Sequence, residues 1–277
     1  MAITTKQTPG KRQGTGSGLL APPVVTFTSD FGSGSPLVAA MKGVVLSGCP
    51  TAVLVDVSHE VPHFDVSAGA FMLFAGTRHF GGGSVHLAVV DPGVGSRRRI
   101  LAVRSGTGIF VAPDNGLLTP FLDGAEVHSV EREDLFLRGP GQTFHGRDRF
   151  APVAAWLLRG EGLARLGPEI ADPVRLPASP PHREPGRISG RVIHVDRYGN
   201  LVTDVPAVWL PPGSCRVEVE GKSTSRRAGH YAEIPPGEAA MIPGSLGTVE
   251  LSLNGEDLAR AWRIARGAAV EITWNES

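Results

Sequence analysis

The sequence predicts an α/β N-terminal domain with a mainly parallel, Rossmann-like sheet, followed by a smaller all-β, barrel-like C-terminal domain. Three observations carry this reading. Between residues 24 and 159, short β-branched runs alternate with apolar patterns of helical period. Such alternation builds parallel strands covered by helices on both faces. Residues 172–186, DPVRLPASPPHREPG, are then dense in proline and lack any apolar period, the signature of a linker. Beyond them come short alternating apolar runs separated by glycine and proline turns, the pattern of a small barrel or sandwich. The expected organisation is a disordered leader over 1–22, an α/β domain over 23–171, a Pro-rich linker over 172–186 and a β-barrel-like domain over 187–277.

The elements follow in order. Residues 24–28, VVTFT, read as a strand that ends at Ser29-Asp30-Phe31-Gly32. Ser35 as N-cap and Pro36 at the first helical position open a helix that stops near Gly48. Residues 52–57 are a second strand, and 65–79 a second helix with Val66, Gly69, Ala70, Leu73 and Phe74 on one stripe. The third strand, 85–90, is apolar apart from His86 and runs into Asp91 and the turn Pro92-Gly93-Val94-Gly95. Strands are expected at 100–104 and 109–112, the latter closing on the turn PDNG. Short helices are expected at 117–122 and 150–159. The C-terminal strands are GRVIHVD, NLVTDV, CRVEVEG, GTVELSL and AVEITW, with one helix at 256–266.

Composition narrows the function classes. The chain has 277 residues, is 41% hydrophobic and carries 27 basic and 27 acidic residues. It therefore lacks the basic footprint of a nucleic-acid binder. No apolar run approaches the ~18 residues of a membrane span, and the N-terminus has no apolar core of a secretory signal. Cys49 and Cys215 lie far apart in no metal-type spacing, as expected of free thiols in a reducing compartment. These features point to a cytoplasmic protein.

Two motif matches fail on physical grounds. His59-Glu60-Val61-Pro62-His63 has zinc-protease spacing, but that chemistry needs both histidines on one face of an unbroken helix, and Pro62 breaks it. The segment reads instead as a polar loop at a strand end, with Asp65 capping the next helix. The glycines of the 92–95 turn lack the third glycine of a dinucleotide fingerprint and lead into arginines and a strand.

The candidate site comes from strand ends. In open α/β sheets, ligands sit outside the carboxyl ends of the strands. There the sequence offers Asp30, Asp91 and Arg98, with His145 supplied by a Phe-His-Gly turn just before a helix. An Asp, an Arg and a His without a cysteine nucleophile can orient a water molecule. The arginine stabilises a developing hydroxide, and a carboxylate or imidazole accepts a proton. Each residue alone is equally consistent with ordinary capping or a satisfied polar group. In the C-terminal part, Asp196-Arg197-Tyr198-Gly199-Asn200 reads either as a hairpin turn or as a stacking ring beside an amide that reads a base edge. Ser245, in Gly244-Ser245-Leu246-Gly247, and Glu250 on the following strand are consistent with turn and strand alone.

Together these segments resemble one family. TSDFG (28–32), DVSHEVPHFDV (56–66), VVDPGVGSRRR (89–99), APDNGLLT (112–119), FHGRD (144–148) and VDRYGNLVTD (195–204) look like the S-adenosyl-L-methionine hydroxide adenosyltransferases, relatives of the fluorinases and chlorinases. The resemblance runs from about residue 24 to 274. It implies that water, as hydroxide, attacks the ribose C5′ of S-adenosylmethionine and that methionine leaves through its sulfur. It implies that Asp91, Arg98 and His145 position the water, with Arg98 favoured over Arg97 and Arg99 by its spacing from the aspartate. Asp30 matches the carboxylate that holds the ribose hydroxyls, Tyr198 and Asn200 the adenine-side turn, and Asp196 and Ser245 positions that meet the methionine amino-acid group. Glu250 falls in the strand bordering adenine. The resemblance further implies a homotrimer with sites between subunits, and no metal or other cofactor. Leu246 is a departure, standing where the fluorinase pattern has an arginine near the methionine carboxylate. A non-catalytic adenosine or S-adenosylmethionine sensor and a chloride-using halogenase are the competing readings.

Overall fold

A computed structural model describes residues 22–138, 141 and 143–275. The expected leader therefore lies outside the described residues, apart from Pro22. The N-terminal part begins with β1 (Val24–Ser29), α1 (Pro36–Gly48), β2 (Val53–Ser58), α2 (Val66–Thr77) and β3 (Val85–Val89). It continues with β4 (Ile100–Ser105), β5 (Gly108–Pro113), β6 (Glu126–Ser129) and α3 (Ala151–Leu158). Its sheet has the order β2-β1-β3-β5-β4-β6. The β1–β2, β1–β3 and β3–β5 pairs are parallel, whereas β4 is antiparallel to both β5 and β6.

The helix starts follow the capping residues. The Ser35 side chain accepts from the Leu37 amide with Pro36 in the first turn, and Asp65 accepts from the Ala68 amide at 2.9 Å. One core packs Phe27, Leu87 and Val111 against Met41 and Val45 of α1 and Phe150 and Trp156 around α3. On the opposite face, Leu73 of α2 packs with Ala88, Phe110, Leu117 and Phe121. Both faces are covered, so β3 and β5 are buried along their whole length, which explains why both are apolar at nearly every position, with His86 the exception in β3.

The C-terminal part holds β7 (His182–Glu184), β8 (Arg187–Val195), β9 (Leu201–Pro206), β10 (Arg216–Val219) and β11 (Lys222–Thr224). It ends with β12 (Ala239–Pro243), β13 (Thr248–Leu253), α4 (Leu258–Trp262) and β14 (Ala269–Thr273). The antiparallel order is β11-β10-β14-β8-β9-β13-β12, with β7 added on β8. The two outer strands nearly close the sheet into a barrel. Thr224 Oγ1 donates to Ala239 O at 2.7 Å, and the stretch after β11 bonds to β12 through Met241 N to Arg226 O at 3.0 Å. Ile188, Leu201, Val217, Met241, Leu251 and Ile272 fill the interior.

Several local expectations change. The helix expected at 117–122 is a single 3-10 turn, Thr119–Phe121. The helix expected at 256–266 is only Leu258–Trp262, because Arg263 turns left-handed (φ 60°) and its amide caps the last carbonyls. Strands β6, β7, β11 and β12 escape sequence reading because they are short, and because β7 is wholly polar and β12 ends in proline. Specific contacts hold both ends of the stretch 172–186. Val174 N donates to Asp114 Oδ1 at 2.7 Å, Leu176 N to Thr119 Oγ1 at 2.8 Å, and β7 pairs with β8. The two parts also meet directly: the Phe71 and His194 rings stack with centroids 4.6 Å apart, and Arg266 reaches Asp65 and Ser67.

Candidate active site

β1 and β3 run parallel and adjacent, so their carboxyl ends bring Asp30 and Asp91 to the same edge of the sheet. Both are almost fully buried, at 7% and 8% exposure. Asp30 Oδ2 accepts from the amide of Phe64, a residue held at a left-handed φ of 60° in the loop after β2. Asp91 is followed by the glycine turn, in which Gly95 takes a φ of 83° and Ser96 N donates to Gly93 O at 3.1 Å. That turn reverses the chain and returns Arg98 onto Asp91.

Arg98 makes a two-pronged pair with Asp91. Nε donates to Oδ1 at 2.7 Å and Nη2 donates to Oδ2. The same Nη2 lies 2.9 Å from His145 Nδ1, and the guanidinium stands 5.2 Å over the Phe150 ring. Its neighbour Arg99 is committed elsewhere, to Asp114 at 2.7 Å and Asp172 at 2.8 Å. Of the three successive arginines, Arg98 is thus the one joined to both Asp91 and His145.

His145 stands at the start of a π-helical turn, Gly146–Phe150, that leads straight into α3. The helix expected at 150–159 therefore begins earlier, in the wide-wound form often found at functional positions. Gly146 is needed there: a β-carbon would lie 2.7 Å from Met41 Sδ. Burial pushes the His145 imidazolium down, and the nearby positive charges of Arg149 and Arg98 push it further, so the ring is neutral. A guanidinium only donates, so Nδ1 is the acceptor and the proton sits on Nε2. Nε2 is buried and has no hydrogen-bond partner among the described residues.

Asp30, Asp91 and His145 line one cavity of about 220 Å³ with Phe31, Phe64 and Phe144. The N-terminal quartet expected from the sequence is thus assembled in one place, with Arg98 behind two of its members. His59 and His63 lie in a loop rather than a helix, as Pro62 requires.

The C-terminal candidates form a second group. Asp196, Tyr198 and Asn200 line a separate cavity of about 670 Å³ with Tyr231, Asn254 and Asp257. Asp196 Oδ1 accepts from the Tyr198 and Asn200 amides at 2.8 and 2.9 Å, and Oδ2 from Asn200 Nδ2 at 2.8 Å. One N–H of the Asn200 side chain is therefore held within the turn, while Tyr198 is 79% exposed. Gly199 alone supplies a positive φ in this turn, 82°. Glu250 accepts from Tyr231 Oη at 3.4 Å, and burial, then the charge of Asp196, pushes its carboxyl up. Ser245 sits apart, on the turn between β12 and β13, where its carbonyl faces Arg78 Nη1 at 3.4 Å. Sequence reading missed Tyr231; the available signal was that the chain has two tyrosines, and both line this cavity.

The SAM hydroxide adenosyltransferase N-terminal domain model matches residues 25–167, and its C-terminal counterpart matches residues 190–271. The chain belongs to the SAM hydroxide adenosyltransferase family. Within the family, it is 36% identical to the (R)-S-adenosyl-L-methionine hydrolase of Salinispora tropica, over 91% of this chain and 98% of that protein. It is 37% identical to the protein of the same name from Thermus thermophilus, over 90% and 98%. A fluorinase from Actinoplanes is 30% identical over 91% and 97%. Among solved structures, an uncharacterized conserved protein from Thermotoga maritima superposes with a TM-score of 0.86 at 32% identity, covering 90% of this chain and all of that one.

Proposed function

We propose that this chain hydrolyses S-adenosyl-L-methionine to adenosine and L-methionine. The Arg98–Asp91–His145 network beside Asp30 is the observation that carries the reading. The water oxygen forms a bond to ribose C5′ as the C5′–S bond breaks. The sulfonium takes the electron pair, and the water loses a proton. Because sulfur starts positive and leaves neutral, the reaction needs alignment and a stabilised hydroxide, and calls for no cofactor.

The geometry around Arg98 supports distinct roles for the residues near it. His145 offers Nε2–H to the water oxygen and, in that tautomer, has no lone pair there to take a proton. Arg98 supplies a fixed positive charge beside the developing hydroxide. Asp91, with lone pairs beyond those used by Arg98, is the acceptor for the water proton. Asp30 accepts from the ribose hydroxyls. From the family resemblance, Tyr198, Asn200 and Glu250 are assigned to the adenine and Asp196 and Ser245 to the methionine end.

The same reading makes the protein a homotrimer with sites between subunits. In its support, Asp30, Asp91 and His145 line one cavity of the chain and Asp196, Tyr198 and Asn200 another, and the cavity at Asp91, about 220 Å³, is below the roughly 300–1,000 Å³ of a typical ligand pocket. No helix among the described residues is long and apolar enough to cross a membrane. Two free cysteines are in keeping with a cytoplasmic setting.

The deciding experiment incubates the protein with S-adenosylmethionine in oxygen-18 water, with and without chloride. Labelled adenosine is the expected product. A 5′-chloro nucleoside would move the chain to the halogenases, and intact substrate beside tightly held adenosine would make it a sensor.

A further inference from the structure

A serine, a histidine and an aspartate form a line that none of the roles above uses. Ser29 Oγ lies 2.7 Å from His59 Nδ1, and His59 Nε2 lies 3.0 Å from Asp56 Oδ1. The residue types are those of a nucleophilic triad. Ser29, however, is completely buried, and His59 is buried too, so no substrate reaches the hydroxyl.

The direction of the hydrogen bonds shows what the line holds. Asp56 only accepts, and Lys42 Nζ donates to its other oxygen at 2.6 Å. Burial opposes charge on Asp56, but the bonds from Lys42 and His59 outweigh it and keep the carboxyl below its ordinary range. His59 Nε2 therefore donates to Asp56, and Nδ1 shares a hydrogen bond with the Ser29 hydroxyl. Ser29 Oγ in turn faces the Phe31 amide at 3.4 Å. Ser29 and Phe31 are the two neighbours of Asp30.

The loop that carries His59 grips the same turn from its backbone. Gly32 N donates to His59 O at 2.8 Å, Val61 N to Ser29 O at 3.3 Å, and Ser33 N to Glu60 Oε1 at 2.7 Å. Five residues beyond His59, the Phe64 amide donates to the Asp30 carboxylate itself. Asp30 is thus fixed on both chain sides and at its carboxylate by one loop, and His59 is the side chain that locks this loop to the end of β1.

We propose that His59 is a positioning residue that sets the Asp30 carboxylate toward the ribose hydroxyls, with Asp56, itself held by Lys42, fixing its ring. This rests on the reading of Asp30 as the ribose-binding carboxylate. The structure separates this role from chemistry at C5′, because His59 contacts neither Asp91, Arg98 nor His145 through any hydrogen bond among the described residues.

The test measures calorimetric affinities of the full chain for adenosine and for 2′,3′-dideoxyadenosine. His59→Ala is expected to weaken adenosine roughly tenfold while changing the dideoxy analogue by less than about twofold, since only the former uses the Asp30 hydrogen bonds. His59→Gln, which can still donate to Asp56 and bond to Ser29, should recover most of the loss. Asp56→Asn keeps a half-exposed side chain of the same shape, so it tests the proposal even if His59→Ala fails to fold. It should show a smaller loss with adenosine alone. Equal weakening of both ligands, or no weakening of adenosine, overturns the role of His59 while leaving Asp30 in place. A wild-type protein that does not prefer adenosine to the dideoxy analogue removes the ribose reading of Asp30, and this proposal with it.

Discussion

Arg98 Nη2 lies 2.9 Å from His145 Nδ1 while Nε and Nη2 of the same group hold the Asp91 carboxylate. One planar guanidinium thus sets both the orientation of the carboxylate and the tautomer of the imidazole. A lysine ammonium is a point charge and does not reproduce this fork. Arg98→Lys should therefore lower kcat by about 10²–10³-fold, the range seen when one preorganised donor to a developing anion is lost. Adenosine affinity should change little. Single-turnover rates beside adenosine titrations make the check, and a lysine variant with wild-type kcat refutes the assignment.

His145 should give the reaction its acid limb. Burial first, then Arg149 and Arg98, depress its folded-state value below the ordinary 6.5. Activity should fall only below that pH, as the ring protonates and a second ring proton competes with Arg98 at Nδ1. Stability follows the same sign. Between the folded value and 6.5 the unfolded chain binds more protons, so the contribution is complete above 6.5 and is lost as pH falls through the folded value. Arg149→Gln removes one of the depressing charges and should move the acid limb of kcat upward. An unmoved or lowered limb would show that another group controls it.

Gly146 leaves no room for a side chain. Its β-carbon would stand 2.7 Å from Met41 Sδ and 3.1 Å from the Phe144 ring, with Met41 fully buried. Gly146→Ala should cost about 1–3 kcal/mol and shift His145 enough to reduce kcat. Gly43, in α1 with no heavy atom within 4 Å of its β-carbon, is the contrast. Gly43→Ala should stabilise the helix by roughly 0.5–1 kcal/mol. Thermal melting of both variants tests the pair.

Arg99 differs from Arg98 in purpose. It ties Asp114, buried just after the end of β5, to Asp172 at the start of the Pro-rich stretch. Arg99→Ala should destabilise the protein by about 1–3 kcal/mol, the cost of leaving a buried acceptor short of a partner. It should also speed proteolytic cleavage within 172–186 while adenosine binding persists below the melting transition. Unchanged cleavage would place the hold on this stretch elsewhere.

The division of binding residues between two cavities makes a prediction about assembly. Asp91→Asn keeps a hydrogen-bonding partner for Arg98 yet removes the proton acceptor, and Tyr198→Ala removes an exposed ring. Alone, each should be impaired. Unfolded together and reassembled, the two variants should regain activity, because some sites then combine an intact N-terminal half with an intact C-terminal half. No recovery in a mixed oligomer would mean that each subunit completes its own site.

Much was legible in the sequence because it was local. Ser35-Pro36 and Asp65 announced their helices, and Pro62 ruled out a helical zinc motif between His59 and His63. A run apolar apart from His86 marked β3 as a buried strand. What escaped depended on partners far along the chain. β7 is three polar residues that become a strand only by pairing with β8, and the antiparallel insertion of β4 between β5 and β6 leaves no mark on its own residues.

The candidate site divides along the same line. By itself the sequence determined which chemistry was on offer: carboxylates at the ends of β1 and β3, a glycine turn tight enough to return an arginine, and a histidine at a helix start. Only the tertiary structure decided the connections. Arg98, and not Arg99, meets Asp91 because the turn and the strand register send alternate side chains to opposite faces. His145 reaches Arg98 across 47 positions, and Asn200 is drawn inward to Asp196 rather than left free. Such pairings depend on where the sheet and helices set distant backbones, and side-chain hydrogen bonds form only after packing has brought their partners within about 3 Å.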